Sequence, residues 1–136
     1  MITTLPEGLY EAAVDLWRLV GLTRPWNDPH ADLVRAVTGT SSTVLALIQD
    51  EALVGTAMVG TDGHRAWMYY LAVDPAAQGS GHGRALVRSC EQWAVAHGAP
   101  KLMLMVRSTN EAVLGFYASL GYQANEVATL GKFLTS

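Results

Sequence analysis

Cysteine, net charge and long apolar runs are what this sequence of 136 residues has least of. With a single cysteine, Cys90, the chain cannot form an internal disulfide or a CxxC metal site, which suits a reducing cytoplasm. The formal net charge is only -3, so there is no basic excess of the kind that nucleic acids or anionic membranes attract. No apolar run approaches the length that spans a bilayer, and the first residues lack the features of a signal peptide. We therefore expect a cytoplasmic protein that has neither a nucleic acid nor a membrane as its partner.

The composition is that of a compact globular chain. Apolar residues make up 50% of the sequence and charged residues 15%, which is unlike a disordered or strongly solvated polypeptide. At 136 residues the chain is long enough for one hydrophobic core and too short to expect two. We therefore expect a single domain over residues 1–136.

Apolar spacing and turn residues divide the chain into helices and strands. A 3.6-residue period predicts helices over 7–20, 29–37, 84–97 and 110–120. Runs of β-forming residues predict strands over 43–48, 53–60, 66–73, 101–106 and 127–134, with a hairpin turn at 49–52. Three meandering strands, followed by helices that alternate with strands, indicate an α/β (α+β) order, and a crossover helix implies local parallel pairing. The pattern predicts one mixed sheet flanked by helices.

The loop between the third of these strands and the next helix is rich in glycine and reads Gln78-Gly79-Ser80-Gly81-His82-Gly83-Arg84. Exposed amides at a helix N-terminus, together with the helix dipole, form an anion site that glycines let a phosphate approach. The loop lacks the Lys-Ser or Lys-Thr of a Walker motif, and it comes too late in the chain for a good Rossmann fingerprint. Phosphate binding and a plain tight turn are both compatible with these residues.

Arg84 favours the phosphate interpretation. It falls in the first turn of the helix, where a cation opposes the helix dipole by roughly 0.3–1 kcal/mol unless an anion lies nearby. Arg88, one turn further on, is a second candidate cation, although a lone surface arginine is more often simply solvated. A bound phosphate would remove the conflict at Arg84.

Two motifs make the sequence resemble the GNAT superfamily of N-acetyltransferases. Gln78-x-x-Gly81-x-Gly83 matches the Gln/Arg-x-x-Gly-x-Gly/Ala signature of that family, and it follows a strand that ends Leu71-x-Val73-x-Pro75. A second segment resembles the family's Asn-x(6)-Tyr-x(3)-Gly-Phe/Tyr helix, with Asn110, Tyr117, Gly121 and Tyr122 in the matching places. The resemblance covers about residues 7–134. It is strongest to small bacterial YpeA-type acetyltransferases, in the segments Arg24-Pro25-Trp26-Asn27-Asp28-Pro29 and Asp62-Gly63-His64-Arg65.

This resemblance implies a fold and a donor substrate. The fold would be a GNAT-like single mixed, mostly antiparallel sheet with a central splayed parallel pair, flanked by about four helices. The donor would be acetyl-CoA, with its pantetheine arm on the strand and its pyrophosphate on the glycine loop. The residues implied in coenzyme binding are Leu71, Ala72, Val73, Gln78, Gly79, Ser80, Gly81, His82, Gly83, Arg84 and Asn110.

By the same resemblance, Tyr117 is the candidate catalytic acid that protonates the departing thiolate. Its helical spacing alone would equally fit a core aromatic residue, because it shares a face with Val113 and Leu120. The base that deprotonates the amine is not identified by any motif, and the turn and strand residues Asp28, Asp62, His64 and Tyr69 are weak candidates. Cys90 lies on an apolar helix face, so we expect packing rather than covalent catalysis.

The expected activity is direct transfer of an acetyl group from acetyl-CoA to a small-molecule or peptide amine, without a metal. The alternatives are a non-catalytic acetyl-CoA sensor and a nucleotide-binding regulatory domain. The family's first strand is reduced here to at most residues 1–5, and the usual C-terminal hairpin is short. Short edge strands and apolar residues such as Trp26 and Trp67 leave a homodimer open.

Overall fold

The computed structural model describes residues 1–135. The chain divides into two compact units, Met1–Met105 and the part from Val106 onward, and each is described by itself. Within the described range, no helix has both the length and the apolar character needed to cross a membrane.

The first unit is built on a five-stranded mixed sheet whose spatial order follows the chain. Its strands are β1 (Ile2–Thr4), β2 (Ser42–Gln49), β3 (Ala52–Thr61), β4 (Ala66–Val73) and β5 (Leu102–Met103). Strands β1 to β4 pair antiparallel, and β4 pairs with β5 in parallel. The predicted mixed, mostly antiparallel sheet with one parallel pair is confirmed.

Four α-helices are described in residues 1–135, as the sequence predicts. They are α1 (Tyr10–Leu19), α2 (Pro29–Thr38), α3 (His82–Ala96) and α4 (Glu111–Ser119), with 3-10 turns at Glu7–Leu9 and Pro75–Ala77. Asp28 caps α2, because its carboxylate accepts hydrogen bonds from the backbone N–H groups of His30 (3.0 Å) and Ala31 (3.2 Å). Helix α4 belongs to the second unit.

Helices cover both faces of the sheet. On β3, Thr56 bonds the indole of Trp17 on α1, whereas at the neighbouring Gly55 an added Cβ would lie 2.9 Å from Leu86 on α3. Because successive residues of a strand face opposite sides, α1 and α3 lie on opposite faces. The core on the α1 side also contains Leu33 and Ala36 of α2.

Two predicted strands differ from the structure. The strand expected over 101–106 is reduced to Leu102–Met103, because its pairing with β4 stops after two residues. The strand expected over 127–134 is absent, so β5 ends the sheet and the parallel pair lies at its edge rather than at its centre. Gly131 interrupts the segment 127–134, and the apolar side chains of this segment are exposed. Burial therefore does not stabilise a strand there.

Candidate functional site

The second half of β4 has free backbone groups along one edge. Strand β5 pairs with β4 only at Ala66 and Trp67, so within residues 1–135 the remainder of β4 has no strand partner on that side. The N–H of Asp74 donates to the carbonyl oxygen of Val54 on β3 (2.8 Å). Because backbone groups alternate in direction along a strand, the N–H groups of Leu71 and Val73 point the other way, towards the free edge, while Ala72 pairs with Thr56 on β3.

A β-bulge in β4 contains the first of these free groups, that of Leu71. Met58 pairs with Tyr69 and Thr56 pairs with Ala72, so two residues of β4, Tyr70 and Leu71, face one residue of β3. Tyr70 has a φ of 50°, in the left-handed region that a bulky residue rarely adopts. Such a conformation costs of order 1–3 kcal/mol and persists only when the surroundings hold it. No local pattern in the sequence indicates this bulge.

Contacts from three other elements hold Tyr70 in this conformation. Its ring stacks on Trp17 with 3.9 Å between the ring centroids, and its hydroxyl donates to Asp32 Oδ2 (2.8 Å). The carbonyl oxygen of Tyr70 accepts from the hydroxyl of Thr56 (3.0 Å), which in turn accepts from Trp17 Nε1 (2.8 Å). Burial, followed by the bond to Asp32, raises the pKa of Tyr70, so the hydroxyl stays protonated. We call Trp17, Asp32, Thr56 and Tyr70 the Tyr70 clamp.

The glycine loop leads from β4 into an uncapped helix N-terminus. Gly79 (φ 89) and Gly81 (φ 79) both adopt the left-handed conformation, and Gly81 is the N-cap residue of α3 without a side-chain hydrogen bond to the first turn. A Cβ at either glycine would meet no atom within 4 Å, so it is the backbone conformation that favours glycine there. The helix begins at His82, so Gly83 and Arg84 lie inside its first turn.

The charge at this helix end suits an anion. The first turn of α3 has no acidic residue, and Arg84 and Arg88 are exposed. Gln78 connects strand and loop, because its Nε2 donates to the carbonyl oxygen of Val73 at 3.4 Å, while the exposed Ser80 lies between the two left-handed glycines. The structure therefore brings the predicted loop residues together beside the free half of β4.

The remaining predicted residues lie in the second unit. Asn110 is the N-cap of α4, and its side-chain oxygen accepts from the N–H of Val113 (3.2 Å). Tyr117 is buried, and its ring contacts Phe116 and Tyr122 edge-on, with 5.0 and 5.6 Å between the ring centroids. Within this unit both residues have structural roles that are compatible with the functions implied by resemblance.

The weaker candidates have local roles. Asp62 accepts from the backbone N–H groups of Arg65 and His64 (2.8 Å each), and these bonds lower the pKa of its carboxyl. Tyr69 is half-exposed, and burial together with the Asp62 carboxylate raises its pKa. Cys90 is fully buried, and burial raises the pKa of its thiol to about 12, so no thiolate is available near neutral pH. In residues 1–135 no cluster of three or more His, Cys, Asp or Glu is arranged to hold a metal.

Comparison with known proteins places these features in a family. Residues 7–122 match the acetyltransferase (GNAT) family. An acetyltransferase of Pectobacterium atrosepticum is 42% identical over 92% of this chain and 89% of its own length. An acetyltransferase of Yersinia enterocolitica is 41% identical over 98% of this chain and 94% of its own.

A solved structure of an aminoglycoside N-acetyltransferase in complex with CoA has the same fold. It superposes with a TM-score of 0.83 at 14% identity, over 99% of this chain and 95% of the other. The sequence match and the shared fold agree with the strand, glycine loop and helix described above. The chain is therefore an acetyltransferase that belongs to the GNAT family.

Proposed function

We propose that this enzyme transfers an acetyl group from acetyl-CoA directly to an amine. The observation that carries the proposal is the continuity of two binding surfaces: the free edge of β4 leads, through two left-handed glycines, into the uncapped N-terminus of α3. The first surface suits an amide-rich arm and the second suits a phosphate. Coenzyme A contains both. The family match begins in the first unit and ends at residue 122 in the second, which supports a single catalytic domain.

The loop and strand residues divide the donor between them. The amides at and beside Gly79, Ser80, Gly81, His82 and Gly83 would hold the pyrophosphate, with Arg84 supplying a countercharge. The backbone groups of Leu71 and Val73 would bond the pantetheine arm and the thioester, with Ala72 keeping the strand in register with β3. Gln78 would fix the turn between the two parts of the site, and Asn110 would begin the helix that presents Tyr117.

Attack on the thioester requires a neutral amine and a donor for the oxyanion. A lysine-like amine with a pKa of about 10.4 is neutral in only about one molecule in 2,500 at pH 7, which corresponds to roughly 4.6 kcal/mol. A base or desolvation must supply that difference. The N–H of Leu71, directed to the free edge of β4, would donate to the oxygen as negative charge develops on it.

Tyr117 would act as the acid for the leaving thiolate. With a thiol pKa of about 8.5 and a tyrosine pKa of about 10, complete proton transfer is uphill by only roughly 2 kcal/mol. A strong hydrogen bond from the hydroxyl would therefore be enough to stabilise the thiolate.

We propose a small-molecule amine as the acceptor. Support comes from the structural neighbours, which include an aminoglycoside acetyltransferase solved in complex with sisomicin. That likeness, at 18% identity, concerns the fold, so peptide amines form the second arm of the acceptor screen. The single, buried cysteine is consistent with a reaction in the reducing cytoplasm.

We also propose that the enzyme is a homodimer. The C-terminal segment carries four large apolar side chains, Val127, Leu130, Phe133 and Leu134, that are 71–91% exposed. Several large exposed apolar side chains in one segment are typical of an interaction surface. A second copy of the chain would cover it.

The first test is a thermal shift assay with acetyl-CoA, CoA, ATP and NAD in parallel. A ligand at 100 times its Kd adds about 2.7 kcal/mol of stability, which shifts the Tm by several degrees in a domain of this size. Of the four ligands, we expect only acetyl-CoA and CoA to raise the Tm. In a separate assay with acetyl-CoA, we expect release of the CoA thiol to depend on an added amine. Shifts with ATP or NAD alone would contradict the donor assignment, and binding without thiol release for any amine would contradict catalysis.

A matched pair of glycine variants locates the binding site. Gly81→Ala forces a side chain into a left-handed N-cap, whereas Gly115→Ala adds the same methyl group to an open position in α4. We expect the first variant to weaken the acetyl-CoA shift and the second to retain it. Equal shifts in both variants would place the phosphates elsewhere.

A further inference from the structure

Tyr70 lies immediately before the backbone groups that the proposed function assigns to the thioester, and the following inference rests on that assignment. The peptide unit between Tyr70 and Leu71 contains the carbonyl of the first residue and the N–H of the second. In a trans peptide these two groups are coplanar and point in opposite directions. Whatever fixes the carbonyl of Tyr70 therefore fixes the N–H of Leu71.

The Thr56 hydroxyl fixes that carbonyl. It donates to the oxygen of Tyr70 at 3.0 Å, and it is itself oriented by the indole N–H of Trp17. Thr56 and Trp17 are both fully buried, so water does not compete for these bonds. The Leu71 N–H is thereby turned away from β3, towards the edge that β5 leaves free.

The side chain of Tyr70 holds the residue in its left-handed conformation. The stack on Trp17 sets the plane of the ring, and the bond to Asp32 ties its far end to α2. The second oxygen of Asp32 bonds Arg35, so the carboxylate itself is oriented. A tyrosine at φ 50 is thus fixed at its ring, its hydroxyl and its carbonyl.

We propose that Tyr70 and Thr56 are positioning residues for the acetyl group. The Tyr70 clamp sets the direction of the Leu71 N–H and so aligns the pantetheine arm and thioester of acetyl-CoA, while the phosphates bind independently at the glycine loop. A purely structural network would stabilise the fold and influence both parts of the ligand equally. The two roles therefore differ in which part of the ligand is affected.

Isothermal titration of folded variants with two probes separates these roles. The probes are acetyl-CoA and 3′-phosphoadenosine 5′-diphosphate, which has the phosphates of the coenzyme but no pantetheine arm. Thr56→Val removes the hydroxyl at nearly constant volume, and Thr56→Ser retains it. We expect Thr56→Val to weaken acetyl-CoA binding by about tenfold, the effect of one lost hydrogen bond, and to leave the second probe within about twofold. Thr56→Ser restores acetyl-CoA binding to within about threefold of the wild type.

Asp32 provides a second pair of variants in case Thr56→Val does not fold. Asp32→Ala removes the acceptor of the tyrosine hydroxyl, whereas Asp32→Asn retains an oxygen at the same place, and we expect the same selective loss and recovery. Tyr10→Phe, which removes a hydroxyl from another half-buried ring on the same core, serves as the control. Unchanged binding of both probes, or equal weakening of both, would overturn the positioning role. If the wild-type enzyme itself binds neither probe, the proposed donor site fails and this inference fails with it.

Discussion

Among single side chains, Tyr117 has the most specific chemical assignment. We expect Tyr117→Phe to lower kcat by about 100-fold, the lower range for loss of a general acid, because its hydroxyl matters mainly as the thiolate forms. The Kd for acetyl-CoA, measured by titration, stays within about twofold because the ground state loses little.

Tyr122→Phe is the matched control for this experiment. Tyr122 contacts Tyr117 edge-on in the same unit, so the change removes a neighbouring hydroxyl and leaves the aromatic packing. A normal kcat in Tyr117→Phe would remove the residue from the acid role. An equal loss in both variants would indicate that packing, rather than proton donation, is responsible.

Cys90 links stability to alkaline pH. Burial raises the pKa of its thiol from 9.0 to about 12, so the folded protein keeps a proton that the unfolded chain loses. The stabilisation is therefore complete below about pH 9 and is lost as the pH rises towards 12, at up to about 1.4 kcal/mol per pH unit. Urea unfolding at pH values between about 8 and 11 gives the free energy of unfolding at each pH and so measures this slope.

The variant Cys90→Ala isolates the contribution of the thiol. We expect a shallower fall in stability with pH, together with a lower stability at pH 7 from the lost packing. The raised pKa of Tyr70 also makes the free energy of unfolding fall above about pH 10. Cys90→Ala therefore keeps a pH dependence that is smaller than that of the wild type. A slope equal to that of the wild type would mean that the thiol ionises freely in the folded protein.

Between secondary-structure elements, the hairpin turn joining β2 to β3 is the clearest site for stabilisation. Both of its central residues, Asp50 (φ 51) and Glu51 (φ 65), are left-handed, which is the arrangement of a two-residue turn that favours Asn-Gly. We expect Glu51→Gly to raise the free energy of unfolding by about 1 kcal/mol, measured by urea unfolding.

The control for the turn is Glu11→Gly, which places the same substitution in the helical backbone of α1. For Glu11→Gly we expect the free energy of unfolding to fall by about 1 kcal/mol, because glycine is a poor helix former. Destabilisation by both substitutions would show that the turn does not hold its left-handed conformation in solution.

The sequence predicted elements whose boundaries depend on local signals. Asp28 and Pro29 begin α2, and Gly81 precedes α3, as their capping preferences suggest. The bulge at Tyr70 and Leu71 was missed, because nothing local distinguishes Tyr70 from its neighbours in an ordinary strand. The Tyr70 clamp depends on contacts between positions 39 residues apart, such as Trp17 with Thr56, which no local pattern reveals.

The strand errors have a related cause. Residues 101–106 and 127–134 have strand-like composition, but a strand also requires a neighbour with which to form hydrogen bonds. Strand β5 loses its partner after two pairs, and the later segment forms no ladder. For the site, the glycine loop was predicted from composition and spacing. The direction of the free N–H groups on β4 can be assigned only from the pairing register of β4 with β3.

For the chain as a whole, the oligomeric state is the open property that is simplest to measure. We expect light scattering after size exclusion to give the mass of a dimer, because the exposed apolar C-terminal segment would be covered by a second copy. The double variant Leu130→Glu, Phe133→Glu is expected to be monomeric, since two charges would have to be buried at the interface.

Val95→Glu is the control, because Val95 is an exposed apolar residue of α3 outside the C-terminal segment. It is expected to retain the dimer mass. A monomeric wild-type protein would contradict the dimer, and a dimeric double variant would place the interface elsewhere.

The bulge in β4 also has a consequence for how the protein can evolve. Tyr70 must provide a ring for Trp17, a hydroxyl for Asp32 and a backbone that accepts φ 50, and no other amino acid offers all three. Its neighbour Tyr69 is half-exposed and in regular strand register with Met58. In a saturation mutagenesis library selected for activity, adjacent tyrosines would therefore differ sharply in tolerance: position 69 would accept many residues, whereas position 70 would remain tyrosine.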